Sequence, residues 1–149
     1  MIDVLIGAAA ALAGSALTGW MQLRSTARAE RTARRERVVE AAGELSAALR
    51  AHREEVFARI RLERDEVDSE QQAGARRASW ASQTRASDAL DRLHLRAGPG
   101  RLVDAAEAAV GATVALWDER GVPDRGRLGD EARAAHRAFL DAAAEHVAR

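Results

Sequence analysis

From Val4 to Leu23 the chain runs for 20 residues without an ionisable side chain. At a rise of about 1.5 Å per residue, a helix of that length measures about 30 Å, the thickness of a bilayer's hydrocarbon core. The wider stretch Ile2 to Leu23 (IDVLIGAAAALAGSALTGWMQL) carries one charge, Asp3, at its outer end. A buried core helix seldom stays uncharged so long. A cleaved signal peptide would place its basic residues ahead of the apolar run, and here they come after it. Trp20 stands near the C-terminal end, where an interfacial aromatic belongs. Residues 1–23 are expected to form a single transmembrane helix.

The charges beyond this helix set its orientation. Arg24, Arg28, Arg31, Arg34, Arg35 and Arg37 follow in the next 14 residues, opposed only by Glu30 and Glu36. Arginines close to a span stay on the cytoplasmic side, so residues 24–37 form a basic juxtamembrane segment. The N-terminus is expected outside the cell membrane, and the body, residues 38–149, in the cytoplasm. The same arginines suit anionic headgroups, each contributing about 1 kcal/mol near a charged leaflet. Ordinary flanking of a membrane span accounts for them without any ligand. Inside the span, Gly7, Ala11, Ser15 and Gly19 recur every four residues, a candidate helix–helix interface for homo-oligomers. In a segment this rich in alanine and glycine, such a stripe also arises by chance.

Composition narrows the remaining classes. The chain holds 23 basic and 23 acidic residues, and all the basic ones are arginine. Beyond Arg37, 17 arginines face 20 acids, which argues against nucleic acid as a partner. Cysteine is absent, which excludes disulfides, thiolate metal sites and a cysteine nucleophile. Alanine is abundant, prolines number two and β-branched residues are few, so helix is expected almost throughout.

The body reads as amphipathic helices. From Arg24 to about Glu70, one helix or two in tandem would carry Val38, Ala42, Leu45, Leu49, Val56 and Ile60 on one face, with His52 completing the row. That face suits a coiled coil or a bundle. A turn is expected at Ser69 to Gly74. A second helix would run from Arg76 to Ala97, with Trp80, Ala86, Leu90, Leu93 and Ala97 inside, until Gly98-Pro99-Gly100 ends it. A third spans Arg101 to Arg120, with Val103, Ala106, Val110, Val114 and Trp117 inward. Gly121 to Gly129 reads as a loop, and Asp130 as the cap of a last helix burying Ala135, Phe139, Ala142 and Val147. The fold class expected is therefore all-α: a transmembrane helix, a long amphipathic helix and an alanine-rich helical bundle.

No catalytic constellation emerges. The histidines at positions 52, 94, 136 and 146 form no HExxH, and no P-loop, GxGxxG or GxSxG occurs. A di-iron bundle needs paired Glu-x-x-His motifs, and the nearest match is a single Asp91-Arg92-Leu93-His94. Neither an enzyme nor any cofactor or metal is expected.

The N-terminal segment Gly14 to Gln22 (GSALTGWMQ), the arginine tract and Val38-Val39-Glu40-Ala41-Ala42 resemble the small KilB-type proteins of actinomycete plasmids and chromosomes. The likeness lies in the first 60 residues and continues beyond them by composition. It implies a membrane-associated accessory of plasmid transfer or intermycelial spread, without known enzymatic chemistry. A non-enzymatic interaction protein that docks onto other membrane proteins is the function expected. A homo-oligomeric coiled-coil stalk or scaffold is the alternative.

Overall fold

The structure, a computed structural model, describes the backbone of residues 2–65, 68–118 and 125–148, and the side chains of residues 26, 28–65, 68–116 and 126–148. Its elements are α1 (Ile2–Arg64), α2 (Ser69–Ala97), α3 (Arg101–Asp118) and α4 (Arg125–Ala148). No strand occurs among the described residues, so the all-α class holds. The chain divides into two units, Met1–Glu36 and Arg37–Arg149. In the first, the described side chains are all exposed, and Thr32 Oγ1 donates to the Arg28 carbonyl at 3.1 Å. The side chains of the expected anchor, residues 1–23, lie outside the described residues. Among the described residues no helix is long and apolar enough to cross a membrane.

The second unit is a four-helix bundle with each helix antiparallel to its neighbours. Salt bridges fix the order: Glu44 and Glu40 of α1 meet Arg92 and Arg96 of α2, at 2.9 and 3.0 Å. His94 of α2 faces Glu107 of α3 at 3.4 Å, and Arg101 of α3 pairs with Glu145 of α4. The α1 row is buried as the sequence suggests from Val38 to Val56, with Ile60 half-buried. Both apolar clusters fill that row from the chain's own later helices. Between the coiled-coil and bundle readings of α1, the bundle is the one adopted.

Several local expectations are corrected. The turn lies before Ser69, because Asp68 caps α2: its carboxylate accepts from the N–H groups of Glu70 and Gln71 at 3.0 and 2.9 Å. Ser69 to Gly74 is therefore helix. Trp80 is not inside but 60% exposed; the buried face of α2 is Ser79, Ser82, Ala86, Ala89 and Leu93, with Leu90 and Ala97 half-buried. In α3 the buried residues are Leu102, Val103, Ala106, Ala109, Thr113 and Leu116, while Val110 and Val114 are half-buried. The Trp117 side chain lies outside the described residues. The expected loop to Gly129 also ends early, since α4 starts at Arg125. Asp130 is then inside the helix, paired with Arg133 at 2.6 Å rather than capping. Phe139 and Ala142 are buried as expected, with Ala135 and Val147 half-buried.

The α2–α3 connection needs its glycines. Gly98 and Gly100 have φ of 72° and 147°, which side-chain-bearing residues avoid. The Gly98 N–H closes α2 on the His94 carbonyl at 3.0 Å, and the Gly100 carbonyl accepts from Val103 and Asp104 to start α3. Gly98-Pro99-Gly100 thus turns the chain back in three residues.

Candidate interaction surfaces

Arg28, Arg31, Arg34 and Arg35 are exposed on α1 within the first unit, and Arg37 opens the second. The spacing of Arg28, Arg31 and Arg35 puts them on one helical face, where guanidinium groups can fork onto phosphate oxygens. The Arg37 carbonyl accepts from Arg96 Nη1 at 3.3 Å. The Arg24 side chain, together with Gly7, Ala11, Ser15 and Gly19, falls outside the described side chains.

Inside the bundle the apolar core is in two parts. The larger holds Leu45, Leu49, Leu93, Leu102, Phe139 and mostly alanines; the smaller holds Val56, Leu116, Leu128 and Ala132. Where the two part, each helix contributes polar residues: His52, Ser82, Thr113 and His136, with Ser46 and Ser79 beside them, all buried. His52 Nδ1 lies 2.8 Å from Ser82 Oγ, and that hydroxyl donates to the Ser79 carbonyl at 2.7 Å. With its proton so committed, Ser82 accepts from His52 Nδ1–H, which makes Nε2 the bare ring nitrogen. Nε2 is buried with no hydrogen-bond partner among the described residues. Burial holds this imidazole below its ordinary pKa of 6.5, against a raising contribution from the Ser79 backbone. His136 Nε2 meets Ser46 Oγ at 2.9 Å across α1 and α4. Its pKa is lowered by burial first, then by Arg53 and Arg50. The two cross-helix pairs form only in one register, so they match α2 and α4 in height against α1, whereas the Thr113 hydroxyl donates within α3 to the Ala109 carbonyl at 2.7 Å. Sequence reasoning singled out His52 on the apolar row and missed the rest. The available signal was the recurrence of serine, threonine or histidine at core positions of all four helices.

On the surface, α1 and α4 enclose a groove of about 440 Å³ lined by Val38, Val39, Gly43, Leu140, Ala144 and Val147, among others. Its floor is low because Gly43 and the alanines raise no side chain into it. Arg50 closes one end. Arg53 and Arg133 stand near it, close enough that burial, then Arg133 and Arg50, push the Arg53 guanidinium below its usual range while Glu54 opposes them. Arg53 Nη1 is buried with no hydrogen-bond partner among the described residues. The groove is therefore apolar along most of its length and positive at one end. No group of three or more histidines or carboxylates placed to hold a metal ion occurs among the described residues.

No curated protein and no solved structure matches the chain. A family model does match, over residues 39–147. That span covers the four-helix bundle; of the residues that carried the sequence resemblance it includes Val39-Glu40-Ala41-Ala42, and it begins beyond Gly14 to Gln22 and the arginine tract. The bundle carries the likeness, and the chain belongs to the KilB plasmid transfer protein family.

Proposed function

We propose that this protein is a non-enzymatic, membrane-anchored interaction protein that serves plasmid transfer or spread by docking onto other membrane components. The single observation that carries the plasmid-transfer role is the family match across residues 39–147. Membrane anchoring is supported by the uncharged run Val4 to Leu23 and the six arginines that follow it. In this reading the anchor holds the bundle at the cytoplasmic face, the arginines lie against anionic headgroups, and the bundle surface meets its partners. The Gly7-Ala11-Ser15-Gly19 stripe pairs anchors within the bilayer.

A mating assay tests the reading. Deleting the coding sequence from a transfer-proficient plasmid should lower transfer frequency or shrink the zone of spread. The intact chain supplied in trans should restore it, and a chain carrying Gly14→Arg with Leu17→Arg should not. Unchanged transfer and spread after deletion would refute the proposed role.

A further inference from the structure

Five large apolar side chains are exposed among the described residues: Val39, Phe57, Trp80, Leu95 and Leu140. They are not scattered. Val39 and Leu140 flank the α1–α4 groove, and Phe57 lies on the α1 helical row of Val39, Arg50 and Arg53. Trp80 and Leu95, 60% and 87% exposed, share the outward ridge of α2 with Thr84, Asp88 and Asp91. Each surface thus carries apolar residues towards its two ends and charge between them. The signs are opposite: arginine in the groove, aspartate on the ridge.

The spacings agree as well. Gly43, Arg50 and Phe57 are seven residues apart in turn, so they sit about 10 Å apart along α1. Leu95, Asp88 and Trp80 are separated by seven and eight residues, about 10 and 12 Å along α2. Laid antiparallel, the ridge places Leu95 over Gly43 between Val39 and Leu140, Asp88 opposite Arg50, and Trp80 beside Phe57. A Cβ at Gly43 would meet nothing within 4 Å, so the floor there is open. Asp88 and Asp91 have no ion-pair partner among the described residues, and neither have Arg50 and Arg53. The neighbouring arginines of α2, Arg92 and Arg96, are engaged by Glu44 and Glu40 of the same chain.

We infer that the α1–α4 groove receives the α2 ridge of a second copy of this chain. Groove against groove finds the arginines no carboxylate: antiparallel they would face the apolar end of the partner's groove, and parallel Arg50 and Arg53 would face their own copies. Ridge cannot pair with ridge, because Asp88 and Asp91 would do the same. Like charges opposed across an interface cost several kcal/mol, so the contact is head-to-tail. A head-to-tail contact leaves one free groove and one free ridge on every pair, and it grows into a ring or an open filament. This contact is independent of the plasmid-transfer role and of pairing through the membrane anchor.

The absence of cysteine makes the contact directly readable. Full-length chains carrying Gly43→Cys and Leu95→Cys, with different tags, are mixed in detergent micelles and oxidised. The mixture should yield the tagged heterodimer, whereas Gly43→Cys mixed with Ala108→Cys, an exposed control on α3, should not. Arg50→Glu in the Gly43→Cys chain should lower the yield about tenfold, and Asp88→Arg in the other chain should restore it, a change of about 1.4 kcal/mol. A chain bearing both Gly43→Cys and Leu95→Cys should form a ladder of higher oligomers. Gly7→Leu with Gly19→Leu should leave these cross-links in place, which separates them from anchor pairing. Cross-linking of Gly43→Cys chiefly to itself, a yield equal to the Ala108→Cys control, or indifference to Arg50→Glu would each overturn the inference.

Discussion

Phe139→Ala should be the most costly single truncation in the bundle. Phe139 is fully buried and is the largest such side chain among the described residues. Its surroundings include Leu45, Leu49, Leu93 and Leu102, but most of the cluster is alanine, including Ala41, Ala86, Ala89, Ala106 and Ala109. Alanines have no rotamers with which to refill a void, and the helices that bear them are held apart by their own ridges. The cavity should therefore stay open, and the cost should approach the upper part of the 3–5 kcal/mol range for Phe→Ala in cores. Residues 37–149, at roughly 0.05–0.15 kcal/mol each, give a total stability of about 6–17 kcal/mol, so this change removes a large share. At about 4 °C per kcal/mol for a domain of this size, the melting temperature should fall by about 12–20 °C. Trp80→Ala is the matched control, because it removes a larger aromatic from solvent and should stay within about 0.5 kcal/mol. Urea and thermal unfolding of the full chain, followed by helical circular dichroism at sub-micromolar concentration, measures both. A Phe139→Ala cost below about 1 kcal/mol, or a Trp80→Ala cost exceeding it, would refute this account of the core.

Further expectations concern the layer, the anchor and the topology. His52 and His136 are held below their ordinary pKa of 6.5 by burial, reinforced at His136 by Arg53 and Arg50. Below pH 6.5 the unfolded chain therefore takes up protons that the native bundle refuses. Stability should be full above 6.5 and decline as the pH falls towards the native pKa values; His52→Gln with His136→Gln should flatten the urea midpoint between pH 6.5 and 5.5, and an unchanged slope would count against the layer's role. Gly14→Arg with Leu17→Arg places two charges in mid-span, each costing about 2.5 kcal/mol or more, and should shift the protein from the membrane to the soluble fraction on detergent-free fractionation. A reporter fused after Arg149 should behave as cytoplasmic, and replacing Arg24, Arg28, Arg31, Arg34 and Arg35 by glutamine should erode that preference; an externally accessible C-terminus in the unmodified chain would contradict the orientation.

What was legible in the sequence, and what was not, divides along a physical line. The α1 face was readable because Val38, Leu45, Leu49 and Val56 are large, apolar and helically spaced, so the period needs no knowledge of neighbours. The α2 face was misread because a bulky aromatic such as Trp80 counts as a core residue ahead of two serines. Ser82 is buried because it accepts from His52 on another helix, a partner that no local pattern contains. The helix boundaries failed similarly. Gly126 and Gly129 cost about 1 kcal/mol each in a helix and read as a loop. Packing of Leu128 and Ala132 against Val56 and Leu116 extends α4 past them, with the Arg133 guanidinium lying close over Gly129. The interaction surfaces were the least legible. A groove exists only once α1 and α4 are side by side, and the Arg50–Arg53–Arg133 grouping joins residues 80 positions apart.

The division of the core by the polar layer has a further consequence for how the bundle opens. Among the described residues the smaller cluster contains four buried residues, against thirteen in the larger, and α3 and α4 reach it at their ends. Opening that end exposes little apolar surface and frees the layer's histidines to water, while the larger cluster stays packed. Amides around Val56, Leu116 and Leu128 should exchange with solvent through a partial opening of low free energy, and those around Leu45, Leu93 and Phe139 only through global unfolding. The bundle thus has a yielding end and a stiff one, separated by His52, Ser82, Thr113 and His136.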